Sequence, residues 1–187
     1  MIGAVLCLLG AAKSRGADIE PRLAIPLFLK IVSYDHSFVT PTKPDTLRMF
    51  FLYDFSDTKS YQQYQDTQEY VRSAGDLTVS GVPVKLLGIQ TGDADSIITS
   101  TPDSLYSILV CGTGRGAAFR ELSSRLEKRN CHSFAMNPED MAVGLSVSID
   151  ANDRKTIVLV NLNTAKAEGS RFSSQLLSLC RIVDRQT

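Results

Sequence analysis

The sequence predicts an α/β fold: a mostly parallel sheet flanked by helices, closed by a C-terminal antiparallel hairpin and a final helix. Two observations lead there. Short apolar runs of strand length, at residues 47–53, 82–89, 105–111 and 156–162, alternate with longer segments in helical spacing. The run at 143–149 is joined to 156–162 by a connection too short for a crossover, so those two strands must pair antiparallel.

Taken in order, residues 19–33 place Leu23, Ile25, Leu27, Phe28, Ile31 and Val32 at helical spacing, with Pro21 near the start and a kink expected at Pro26. A polar stretch with prolines, 40–46, ends this helix. LRMFFLY at 47–53 has the aromatic content of a buried strand. Residues 60–74 read as a surface helix with Tyr61, Tyr64 and Val71 on one face, closed by Gly75. Strands at 82–89 and 105–111 bracket a short helix at 95–99. A helix with a charged outer face follows at 117–129, then a strand at 132–136 and a turn at 137–140. The period-two strand 143–149 leads through Ala151-Asn152-Asp153 into the nearly continuous apolar strand 156–162. An amphipathic helix, 164–183, bent near Gly169, completes the chain.

With 187 residues, 43% of them hydrophobic, the chain has enough apolar surface for one sizeable core. Lys plus Arg and Asp plus Glu both number 20, and no basic cluster with interleaved aromatics occurs, which argues against nucleic acid as a partner. Residues 2–12 (IGAVLCLLGAA) form an uncharged apolar run too short to span a bilayer, followed by Ala11, Ala12, Ser14, Gly16 and Ala17. The expectation is a signal peptide in residues 1–17, cleaved between residues 12 and 17, and a single periplasmic domain over 18–187. Cys7 leaves with the signal. Of the remaining Cys111, Cys131 and Cys180, the first two end and open adjacent strands, so a Cys111–Cys131 disulfide is preferred, with three separate buried thiols as the open alternative.

Chemistry-bearing motifs are few. Gly112-Thr113-Gly114-Arg115-Gly116 joins a strand to a helix, where backbone N–H groups can meet an anion or other small ligand. Neither the dinucleotide fingerprint nor the P-loop ending is present, so a plain glycine-rich turn is the alternative reading. Cys131 and His132 are neighbours on a strand and face opposite ways, so they cannot form a nucleophile–base dyad. His36 lies in a loop, and Asp93, Asp95 and Asp103 lack calcium-loop spacing. Tyr61, Tyr64 and Tyr70 offer either a recognition face or ordinary helix packing. No catalytic set, metal site or cofactor is expected.

The run Val160-Asn161-Leu162-Asn163-Thr164-Ala165-Lys166-Ala167-Glu168-Gly169, continued by Ser173-Ser174-Gln175-Leu176-Leu177 and Leu179, resembles the most recognisable segment of the YfiR-like family. There a strand ending in Asn-Leu leads into an Ala-rich turn, a Gly, and a helix opening on Ser-Ser and carrying Leu-Leu. The chain departs from that family at Ala142-Val143-Gly144, where a Gly-Gly pair is usual, and in having no Trp. The resemblance implies an exported, non-enzymatic regulator that binds the periplasmic part of an inner-membrane signalling protein such as a diguanylate cyclase and restrains cyclic di-GMP synthesis. A periplasmic small-molecule binding or sensing protein is the alternative, and a homodimer stays open.

Overall fold

Alternate residues of one strand, β1 (Leu47–Tyr53), face two different layers. Leu47, Met49 and Phe51 join one apolar cluster, Phe50 and Leu52 the other, and all five are at most 2% exposed. The computed structural model describes residues 18–38, 44–102, 105–127, 129–152 and 155–183. Residues 1–17, and with them the expected signal peptide, lie outside the described residues, as does Asp103.

Four further strands flank β1 to build the parallel centre. These are β3 (Val82–Gln90) on one side, then β4 (Ser107–Cys111), β5 (Cys131–Ala135) and β6 (Val147–Asn152) on the other. β7 (Lys155–Val160) returns antiparallel to β6, while β2 (Thr78–Val79) and β8 (Arg181–Ile182) close the edges. The order is β2-β3-β1-β4-β5-β6-β7-β8. The α/β sheet and hairpin read from the sequence are thus the observed architecture.

Helices α1 (Pro21–Val32) and α2 (Thr58–Ala74) cover one face, and α3 (Ala94–Ser100) and α4 (Gly116–Leu126) the other. α1 buries Ala24, Ile25, Phe28, Leu29, Ile31 and Val32 and runs unbroken through Pro26, whose ring sits on the exposed side. Asp57 caps α2 by accepting from the N–H groups of Lys59 and Ser60. Tyr64 of α2 lies flat on Tyr53, ring centroids 4.3 Å apart, and reaches the outer strand β3 at Gly88. A Cβ at residue 88 would collide with the Tyr64 hydroxyl, which is why glycine occupies an otherwise apolar strand there.

Three expectations are corrected. The strand expected at 143–149 begins only at Val147, because Pro138–Val143 forms a 3-10 turn held by the Asn137 side chain and ends on Gly144 at φ 100°. The single C-terminal helix is instead two short helices, α5 (Leu162–Ala167) and α6 (Ser174–Leu177), followed by β8. The break falls at Gly169, whose φ of 98° no helix accommodates. Finally, the Cys111–Cys131 disulfide does not form. Cys111 stands opposite Ala135 and Cys131 opposite Ser107, at the two ends of the β4–β5 ladder, and both thiols are free and buried.

Candidate functional site

The connections leaving β1 and β4 diverge. The chain leaves β1 for α2 on one face of the sheet and leaves β4 for α4 on the other. Between the carboxyl ends of two adjacent parallel strands this divergence opens a crevice, the usual place for a ligand in open α/β sheets. The 112–116 loop forms one wall of it and Asp54 to Asp57 the other.

In this structure the crevice is closed by its own side chains. Arg115 reaches across and donates from Nη1 to Asp54 Oδ2 and from Nη2 to Asp57 Oδ2, each at 2.7 Å. Asp54 is fixed by the N–H and hydroxyl of Ser56, at 2.8 and 2.7 Å. Those two bonds, then Arg115, hold its carboxyl below the usual range. Deeper in the seam, Thr113 N–H donates to Gln63 Oε1 at 2.8 Å, Gln63 Nε2 returns a bond to Thr113 Oγ1 at 3.2 Å, and Thr113 donates to Asp18 Oδ1 at 3.0 Å. Lys59 pairs with Asp18, which raises the lysine pKa.

The glycines of the loop have distinct geometric reasons. A Cβ at Gly112 would lie 2.8 Å from the Leu52 carbonyl oxygen, and Gly114 adopts φ 77°, where a Cβ would come no closer than 3.7 Å, to Asp57 Oδ2. At Gly116 a Cβ would lie 2.8 Å from Asp140 Oδ1. The Asp140 carboxyl is pushed up to about 6, first by burial and then by Asp18 and Glu139, and its Oδ2 has no hydrogen-bond partner. Two open grooves, of ≈ 680 and ≈ 600 Å³, lie beside α2 and beside the β2–β3 hairpin; neither is lined by the 112–116 loop.

At the mouth of the seam the β1–α2 loop presents Phe55, 63% exposed, edge-on to Tyr61 with ring centroids 5.0 Å apart. Tyr61 in turn packs on Tyr53, whereas Tyr70 lies against the core beneath α2. Of the tyrosines read as a recognition face, only Tyr61 therefore belongs to this surface patch.

The remaining candidate residues fall elsewhere. His36 is exposed and its backbone N–H binds the Arg171 carbonyl. Asp93 is exposed and Asp95 pairs with Arg125 at 3.2 Å. Cys131 and His132 do face opposite layers. His132 stacks on Tyr106 at 4.4 Å and meets Ser170 Oγ at 2.5 Å, fully buried. The sequence reading missed Asp18, Asp54, Asp57, Gln63 and Asp140 as parts of the seam. Only the Asp57-x-x-Ser60 capping pattern hinted at one of them.

No family model matches the chain, and no curated protein matches it. Solved structures do. The ABC domain in complex with L-Trp from Streptococcus pneumonia aligns with TM-score 0.58 at 13% identity, over 88% of this chain and 62% of that one. The ligand-free, open structure of a substrate binding protein with adhesive properties from Clostridium difficile aligns with TM-score 0.56 at 15% identity, over 80% and 58%. The chain thus spans about three fifths of the length of these neighbours. At such identities the likeness shows the fold alone, an α/β domain. Among the described residues no helix is long and apolar enough to cross a membrane.

Proposed function

We propose that this chain is an exported, non-catalytic regulator that acts through a protein surface, restraining the periplasmic part of a membrane signalling protein such as a diguanylate cyclase. The observation that carries the reading is the Arg115 bridge to Asp54 and Asp57. It fills the crevice where a small ligand would enter and leaves Phe55, Tyr61 and a charged rim as the accessible features of that end. An exposed aromatic set beside partly covered charges has the composition of an interface anchor. The resemblance of residues 160–179 to the YfiR-like family supports the partner class. Cellular cyclic di-GMP tests it: deletion of the gene raises the level, and restoration needs the form carrying residues 1–17. An unchanged level in the deletion strain overturns the cyclase as partner.

A second reading rests on the fold neighbours, one solved in complex with L-Trp and the other described as a substrate binding protein. In it, a ligand displaces Arg115 and occupies the seam. A melting temperature that rises with L-tryptophan or another free amino acid, and no longer does so in Arg115→Ala, would favour this reading over the first.

A further inference from the structure

The turn joining α5 to α6 sends three consecutive anchors into the far end of the sheet, opposite the seam. Glu168 accepts from the Ser133 N–H at 2.9 Å and from the Ser133 hydroxyl at 2.6 Å, and Ser146 N–H donates to Ser133 Oγ at 2.9 Å. Ser170 Oγ meets His132 Nδ1 at 2.5 Å. The Arg171 backbone N–H donates to Asp35 Oδ1 at 2.9 Å. Asp35, His132, Ser133 and Ser146 are fully buried, with Glu168, Ser170 and Tyr106 at most 5% exposed.

What this turn fastens is otherwise held by Phe172, Leu177 and Cys180, partly buried against the core, and by the Ser173 N–H bond to the Tyr34 carbonyl at 3.0 Å. Beyond it, Leu176 is buried, but Leu179 is 74% and Ile182 42% exposed, and β8 contributes two residues to the sheet edge. The polar anchors therefore add the buried hydrogen bonds to an attachment whose apolar part is mostly half-exposed.

The anchor at His132 depends on the ring staying neutral. Its Nε2 is buried without any hydrogen-bond partner, so an added proton there would have no acceptor. The groups around it are Asp35 from the turn after α1, Tyr106 ahead of β4, and Ser170 and Glu168 from the α5–α6 turn, while Cys131 and Arg129 at the start of β5 face the other layer. Asp35 already receives the Ser37 N–H at 2.8 Å, the Ser37 hydroxyl at 2.5 Å and the Tyr106 hydroxyl at 3.2 Å besides Arg171. Burial pushes Glu168 up to about 7, so in acid it is protonated and supplies no counter-charge. Burial holds His132 down to about 4, with Asp35 opposing.

We propose that the α5–α6 turn is a proton-operated clasp: protonation of His132 releases Ser170 and frees residues 170–183 from the sheet while Glu168 stays bound to Ser133 and the strands remain folded. Opening lets water reach Nε2 and solvates the imidazolium. The sign follows from the histidine. Its folded pKa lies below the ordinary imidazole value of 6.5, so the clasp is secure above that pH and weakens as pH falls toward about 4.

Amide hydrogen exchange of the full chain at pH 7 and pH 4.5, corrected for intrinsic rates, tests this. Protection of residues 170–183 should fall by about tenfold or more at the lower pH while β1 and β4 keep theirs. His132→Asn, neutral at both values, should abolish the fall. Undiminished protection at pH 4.5, or an equal fall in His132→Asn, overturns the clasp. Should that variant not fold, NMR titration of the wild-type chain decides. Leu176 and Leu177 methyl shifts should titrate with the His132 ring midpoint, and titration of the ring without them refutes the proposal.

Discussion

Arg115 Nη2 lies 2.7 Å from Asp57 Oδ2, so a residue at the start of α4 is held by the cap of α2, on the opposite face of the sheet. The pair joins two loops that the topology sends apart, with Asp54 as the second carboxylate of the same guanidinium. Arg115→Met leaves both carboxylates without their common partner. Because Asp54 and Asp57 are partly solvated, the expected loss is about 1 kcal/mol in urea unfolding, with the slope unchanged. Arg115→Lys should recover little of it, since one ammonium cannot reproduce the two-pronged geometry. Full recovery by lysine would show that charge alone matters.

Two glycines of the adjoining loop separate crowding from backbone strain. Gly112→Ala drives a methyl against the Leu52 carbonyl, which cannot move without disturbing β1, and should cost roughly 2–3 kcal/mol. Gly114→Ala brings a methyl into no more than ordinary contact, 3.7 Å from Asp57 Oδ2, but must keep φ 77°, and should cost about 1 kcal/mol. Thermal unfolding of the two variants checks the order, and the reverse order would contradict this account of the loop.

The strands were the legible part of the sequence because β1 and β4 are nearly continuous apolar runs, a pattern set by burial on both faces. The C-terminal segment was not. Leu176, Leu177 and Leu179 sit at helical spacing, yet only Leu176 is buried, and Glu168 to Arg171 are bound to partners in β5 and in the turn after α1. The seam was half legible. The Gly112–Gly116 turn announced itself by composition, but Asp54 and Asp57 lie about sixty residues earlier, and nothing local marks them as partners of Arg115.

Glu168 gives a pH dependence opposite in sign to that of His132. Its folded pKa of about 7 lies above the ordinary carboxyl value of 4.5, so its contribution is complete below that lower value and is lost as pH rises through 7. Glu168→Gln should remove this alkaline-going decline, which amounts to roughly 3 kcal/mol at its fullest. Urea unfolding between pH 4.5 and pH 8 measures it, and parallel curves for the two proteins would contradict the assignment.

Thiol chemistry checks the corrected cysteine pairing. Burial pushes Cys131 up to about 12 and Cys111 higher than its ordinary value, so neither should react with a thiol reagent in the native protein. Cys180, half-buried, should react slowly, and denaturation without reductant should make Cys111 and Cys131 available as well. A mass lower by two hydrogens, with Cys111 and Cys131 joined in one peptide, would contradict the register.

The central claim is that the Phe55 surface restrains a membrane partner. Its most direct test is cellular cyclic di-GMP in a deletion strain complemented with wild type or with Phe55→Ala, an exposed substitution that should leave the melting temperature unchanged. The account predicts that wild type returns the elevated level to normal and that Phe55→Ala, present in equal amount, does not. Full restoration by Phe55→Ala would contradict it.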